Sequence, residues 1–356
     1  VQAAAYQYVL KQGSAVDAND WYLNSTYNCA LNNSCPVTPD TPIYRPGVAN
    51  YVAGQTANAE QGFHQLSTLH QRIGEQKSVN ADGRQTWLRA YHTTQNNDGE
   101  TQFGYKQRIT GFQIGQEILA RGLGDGGTER AALSIDYANS YARFTDRMRT
   151  LANLSTDTGH MDAQSVALGG YYTRMDKDGG YVDLVGQVSS LRNVFQDNYG
   201  GRATQTGWRA ALSGEVGRPV AQIGDWKIEP QAQLIYQYTN YQGFSDSISS
   251  ISGYSADTFR SRVGVRIFDN VKTAAKKEIV YYGVANIVHD LNKPSAVTVG
   301  TTSVSERFDQ TYGELGFGAQ GWVAKSTYLY ADARYQKSFG GNMHGSQFHL
   351  GLKIEF

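Results

Sequence analysis

No run of about 18 apolar residues occurs anywhere in the chain, so no segment can cross a bilayer as an α-helix. The only other structure that spans lipid is a closed β-barrel, because every backbone polar group there must pair internally. A surplus of either charge is also missing. Lys plus Arg is 32 and Asp plus Glu is 32, so nucleic acid, which demands a basic excess, is not an expected partner. Charged residues are only 18% of the chain, below the roughly 25% of soluble domains. There is no HExxH and no GxSxG, and the seven His are scattered. Neither a zinc hydrolase nor a serine hydrolase is therefore signalled, although clusters formed only in space leave no trace in sequence. Two cysteines, Cys29 and Cys35 in CALNNSC, are too few for a metal site and have no His near them. They are expected to form a small disulfide loop in an oxidising envelope, the alternative being two free thiols in a linker. No cofactor, metal site or catalytic residue is expected.

What is present is glycine and tyrosine, 39 and 24 residues. With few charges, that composition points to a large β structure whose surface is not fully wet. The chain begins at Val1 with no basic-then-apolar leader, and a signal peptide and further sequence are expected upstream. Residues 1–26 hold short β-like pieces, YQYVL and DWYL. Residues 27–45 read as a linker of Asn, Pro, Thr and Ser without apolar periodicity. Pro46 then opens a segment in which Phe63, Leu66, Leu69 or His70, and Ile73 recur at helical spacing up to Gln76. One helix of that span would be roughly 40–45 Å long. It lacks the wide apolar stripe of a core helix and suits a wet, narrow lumen. Residues 46–82 are expected to form this helix and the approach to a barrel of residues 83–356.

From about Arg84 onward the period is two. Trp226, Ile228, Ala232, Leu234, Tyr236 and Tyr238 alternate with Lys227, Glu229, Gln231, Gln233 and Gln237. Trp208, Ala210, Leu212 and Val216 alternate with Arg209, Ser213 and Glu215. Phe259, Val263, Val265 and Ile267 alternate with Arg260, Arg262 and Arg266, and Leu329, Ala331, Ala333 and Tyr335 alternate with Asp332 and Arg334. A soluble sandwich would turn the apolar face inward; a membrane barrel inverts this. Runs of around 10–14 residues favour the barrel, since ordinary strands average about 5–6. Aromatics at 171–172, 236/238 and 328/330 are expected to form interfacial girdles. Turn signals divide the region into about twelve strands, an even number as in bacterial barrels. The expected fold is all-β: a 12-stranded antiparallel transmembrane barrel with an N-terminal α-helix in its lumen. In that arrangement Arg209, Glu215, Lys227, Glu229, Arg260, Arg262, Arg266, Glu314, Asp332 and Arg334 line the lumen. They meet Glu60, Arg72 and Glu75 of the helix, while Phe63, Leu66 and Ile73 sit against the wall. The bland alternative for these charges is the solvated face of a soluble sheet. Each wet pair would be worth about 0–1 kcal/mol, so packing must also hold the helix.

Several stretches together resemble the autotransporters of type V secretion, in particular the AIDA-like group. DWYLNS (20–25) is similar to a last passenger strand, PIYRPGVANYV (42–52) to the linker-to-helix junction, and LHQRIGEQ (69–76) to the helix end. TWLRAY (86–91) is similar to the first barrel strand and HLGLKIEF (349–356) to the terminal assembly signal, with Gly351, Ile354 and Phe356. The resemblance implies an outer-membrane translocator in a Gram-negative bacterium that exports its own N-terminal passenger to the surface and anchors it. The partners implied are outer-membrane lipid, the passenger in cis, the barrel assembly machinery and periplasmic chaperones. Some relatives cleave themselves between two Asn within the helix. Here Asn50 and Asn58 stand singly, so that activity is not carried over. The competing readings are an outer-membrane barrel enzyme, such as a surface protease or a lipid-modifying enzyme, and a diffusion porin. Gly122–Gly127 matches GxGxxG, but a strand-like segment follows it, which favours a hairpin loop. DKDGG at 176–180 starts like a Ca²⁺ loop but lacks the closing Glu and reads as a turn.

Overall fold

The computed structural model describes residues 1–13, 17–27, 41–75, 82–272 and 278–356. Cys29 and Cys35 lie outside the described residues. Two helices, α1 (Pro46–Leu66) and α2 (Leu69–Ile73), precede twelve long strands: β1 (Gln85–Asp98), β2 (Phe103–Gly122), β3 (Thr128–Asp146), β4 (Asp157–Met175), β5 (Tyr181–Asp197), β6 (Arg202–Gly217), β7 (Trp226–Tyr241), β8 (Tyr254–Lys272), β9 (Glu278–Asp290), β10 (Thr311–Trp322), β11 (Thr327–Ser338) and β12 (Met343–Glu355). Each strand pairs antiparallel with the next, from Thr86↔Gln116 between β1 and β2 to Thr327↔Ile354 between β11 and β12. The ring closes where β12 pairs β1, from Met343↔Asn97 to Glu355↔Gln85. Closure removes both sheet edges. Residues 221–223 add a short arm to β7.

The period of two decides which way each residue faces, and the sense is inverted relative to a soluble core. Leu212 is 63% exposed, whereas Arg209 on the same strand is 1% exposed. Leu88, Ile114, Leu133, Leu168, Val188 and Val263 all face outward, as lipid contact requires. The longest connections among the described residues, 147–156, 242–253 and 291–310, lie at the end opposite Phe356. Two of these loops contribute short strands (Phe244–Ser245, Ser250–Ile251, Val297–Val299, Thr302–Val304) that pair into a small sheet. Ile251, Val297, Val299 and Phe308 of these loops pack on Val48, Tyr51 and Val52 of α1.

Two expectations are corrected. The helix is not continuous to Gln76. It stops at Leu66, because Ser67 takes a left-handed φ of 53° and donates its hydroxyl to His64 O. Thr68 then starts α2 with a capping box in which its side chain accepts from Gln71 N and the Gln71 side chain accepts from Thr68 N. The girdle assignment also fails for Tyr171, Tyr328 and Tyr330. Tyr328 and Tyr330 share the inward parity of Asp332 and Arg334, Tyr171 shares that of Thr173 on β4, and all three are buried. Tyr330 instead lies flat over its register partner Gly351, where a Cβ would overlap the ring. Trp87 covers Gly115 in the same way.

A plugged lumen as the candidate functional site

Nearly every residue of α1 and α2 is buried, although many are Gln, Asn, Glu, His or Arg. An α-helix this polar is held among protein atoms only if its groups find partners. Here the wall supplies them. Gln61 Nε2 donates to Ala138 O at 3.1 Å, Gln65 Nε2 to Asp136 at 2.6 Å, and Thr158 Oγ1 to Asn50 at 2.8 Å. These bonds tie α1 to one side of the lumen wall. α1 leans towards β2–β5. Its other side faces a cleft lined by Glu60, Phe63, Asp290 and Tyr312, which continues past Arg260 to Glu314 and Arg334.

At the loop end, Arg45 meets Asp246 at 2.7 Å, and Tyr51 donates its hydroxyl to the same carboxylate at 2.7 Å. Burial pushes the Asp246 carboxyl up. The Tyr51 hydroxyl, the backbone N–H groups of Ile248 and Ser249, and the Arg45 charge outweigh it and hold the group below its ordinary value.

At mid-height, Arg260 of β8 bonds both oxygens of Glu60, at 2.5 and 3.0 Å, and Asp290 of β9 at 2.6 Å. Its guanidinium lies 3.7 Å from the Phe63 ring centroid. Arg209 donates to Asn58 O at 2.7 Å and passes directly over Gly62. Arg89 donates to Gln65 O at 2.5 Å and His64 O at 3.2 Å, capping carbonyls that the end of α1 leaves open.

At the Phe356 end, Glu215 accepts from Leu69 N at 2.9 Å, placing an anion at the start of α2, and meets Arg262 at 3.1 Å. Arg72 reaches both oxygens of Asp183 at 2.9 Å. Glu75 pairs with Arg266, which also faces Glu229 at 3.6 Å. Phe63, Leu66, Leu69 and Ile73 form an apolar seam with Trp87, Tyr171, Tyr181 and Ile235.

The structure thus brings Glu60, Phe63, Leu66, Arg72, Ile73 and Glu75 against the wall. Arg209, Glu215, Glu229, Arg260 and Arg266 meet the two helices, while Arg262 bonds the wall residues Gln231, Gln233 and Asn286 and pairs with Glu215. Glu314, Asp332 and Arg334 form their own inward network, with Arg334 at 2.8 and 2.9 Å from the two acids. That network touches α2 through Gln71 Nε2, 3.4 Å from Asp332. Lys227 stands apart, half-buried at the first residues of β7 in register with Gln222 and Phe268. Sequence reasoning missed Arg89, Glu117, Arg130, Asp136, Asp183 and Asp290, all charged and directed inward. Arg89 was within reach, since TWLRAY alternates Trp87, Arg89 and Tyr91 on one face. Asp136, between Ile135 and Tyr137, and Asp183, between Val182 and Leu184, carried the same signal, whereas Arg130 precedes Ala131 and Ala132, where the contrast between faces is faint. Gly351, Ile354 and Phe356 occupy β12 and the chain end, with Ile354 and Phe356 outward and Gly351 inward under Tyr330.

The family described as autotransporter beta-domain matches residues 86–334, most of the barrel. The chain belongs to this family. As an autotransporter β-domain it resides in the outer membrane. All of the chain is similar to part of the adhesin BmaC autotransporter of Brucella suis, at 24% identity, but it spans only 11% of that protein's length. Its fold is that of the NalP translocator domain from Neisseria meningitidis, with a TM-score of 0.66 and 15% identity over 86% of this chain and 99% of the other. The AIDA-I transport unit from Escherichia coli aligns with a TM-score of 0.65 and 15% identity over 88% of this chain and 100% of the other.

Proposed function

We propose that this autotransporter β-domain passes the chain upstream of Pro46 to the surface and is then sealed and tethered by α1 and α2. The observation that carries this is chain direction. α1 begins at the loop end, where Arg45 meets Asp246, and α2 finishes beside Tyr330, Gln320 and Lys353 at the Phe356 end. A chain threaded this way leaves its preceding residues outside the loop end. Described residues of that preceding part rest there: Arg149 donates to Tyr44 O at 3.0 Å and Gln102 to Pro42 O at 3.4 Å. In this reading residues 1–26 end a passenger, 27–45 link, 46–82 plug and lead into the barrel, and 83–356 span the membrane. The outward Ile354 and Phe356 are the features offered to the barrel assembly machinery, after transit with periplasmic chaperones. Glu60, Asp183, Glu215, Glu229, Glu314 and Asp332 face guanidinium groups, an arrangement that anchors a plug.

The test is topological. An epitope tag before Val1 should be shaved from intact cells by added protease, and a tag in the 176–180 turn should be protected. Protection of the first, or loss of the second, overturns the reading.

A further inference from the structure

The outer wall carries a charged feature that passage through the lumen does not use. Successive register partners Lys337, His344, Asn96, Lys106 and Arg143 cross β11, β12, β1, β2 and β3, all on the outward face. Four of these five side chains are basic and none is acidic. Lys106 and Arg143 stand directly opposite each other, which costs stability as a bare like-charge pair. Arg143 has one exposed acid, Asp157, at 3.9 Å. Among the described residues, Lys106 and Arg108 have no carboxylate within ion-pair distance. Arg108, two positions along β2, lies 5.5 Å from the Tyr141 ring centroid.

These cations wall an open depression. Its floor is Thr94, Asn96, Gly345 and Ser346, all short; His344 closes the far side and bonds Asn96 at 3.0 Å. The apolar belt starts just below, at Phe348 on β12 and Phe112 on β2, four residues along their strands from His344 and Arg108, with His92 of β1 in register with Phe348. Four residues are about 13 Å along a strand, less once its tilt is counted. That is headgroup height. Below the depression, Ala90 of β1 lies between its register partners Leu350 and Phe112, leaving a shallow apolar trough. Phosphate above and acyl chain below is the pattern of a lipid.

We propose that this depression binds the phosphorylated glucosamine headgroup of an outer-leaflet glycolipid across the β12–β1 seam. Lys106, Arg108 and Arg143 take the phosphate, and the trough over Ala90 takes an acyl chain. The assignment of leaflet rests on the loop end facing the surface. A phosphate between Lys106 and Arg143 relieves their repulsion and ties β2 to β3.

The test is native mass spectrometry of the full chain in detergent, titrated with bisphosphorylated lipid A, dephosphorylated lipid A and phosphatidylglycerol. The wild type should retain one bisphosphorylated lipid A, with at least about tenfold weaker retention of the other two. A Lys106→Ala/Arg108→Ala/Arg143→Ala variant should lose that preference, whereas Arg121→Ala, at the opposite end, should keep it. Heat-shifted gel mobility verifies that each variant folds. Equal retention of all three lipids, preference for phosphatidylglycerol, or an unaffected triple variant overturns the proposal. Surface shaving of the upstream tag is read separately in the same variants, so a failed lipid site is distinguished from a failed topology.

Discussion

Glu60 and Arg260 face each other across the lumen at 2.5 Å, one on the plug and one on the wall, with both side chains under a tenth exposed. Removing one partner of a buried pair leaves the other charge uncompensated, at a cost of about 3–5 kcal/mol. Asp290 stays beside Arg260 and softens the loss. Glu60→Ala is expected to lower the thermal unfolding midpoint and make the plug segment susceptible to protease. The pair should show a non-zero coupling in a double-mutant cycle with Arg260→Ala. Simple additivity would mean that the pair does not hold the plug.

At Gly62 the backbone of α1 comes close to the wall. A Cβ there overlaps Arg209 and Gln237, and overpacking of this kind costs about 1–3 kcal/mol. Gly62→Ala should therefore destabilise the plugged state, and Gly62→Ala/Gln237→Ala should recover part of the loss. Alanine is the better helix former, so stabilisation by Gly62→Ala would contradict the contact.

The loop-end contact is acid-sensitive. Asp246 is held below its ordinary value near 3.8, so its stabilisation is present above that pH and is lost as pH falls through the depressed value. The wild type should exceed Asp246→Asn in unfolding midpoint by a constant margin from pH 7 down to about 4, and the margin should shrink below. A margin that grows in acid would reverse the assignment.

Much of this was legible beforehand, and the failures have physical causes. The inward rows around Arg209, Arg260 and Arg334 were readable because bulky apolar residues flank them on the same strands. The polar helix was readable from Pro46 and the spacing of Phe63, Leu66 and Ile73. Its break was also written, as Thr68 followed by Gln71, but helical spacing carries through both sides and hides it. Tyr328 and Tyr330 misled because ring chemistry suggests an interface, while strand parity sets their direction. Asp183 and Asp136 could not be paired with Arg72 and Gln65 from sequence, since closure of the ring brings them together.

Gly351 separates two roles that the tail combines. As a seat for the Tyr330 ring it tolerates no Cβ, whereas Ile354 and Phe356 are outward and 44% and 71% exposed. Gly351→Ala should slow appearance of the heat-modifiable barrel, and Tyr330→Ala in the same chain should restore it. Deleting Phe356 should impair assembly in cells without such rescue. If Tyr330→Ala fails to rescue Gly351→Ala, the glycine acts through the assembly signal and not through the ring.

Residues 46–75 fill the lumen and should close it to ions. The most direct measurement is single-channel conductance in planar bilayers of the intact chain and of a chain lacking residues 1–75, each first shown to be heat-modifiable. A wide, stable conductance is expected only in the truncated chain, because the wall charges that α1 and α2 cover would then line open water. Equal conductance in the two proteins would contradict it.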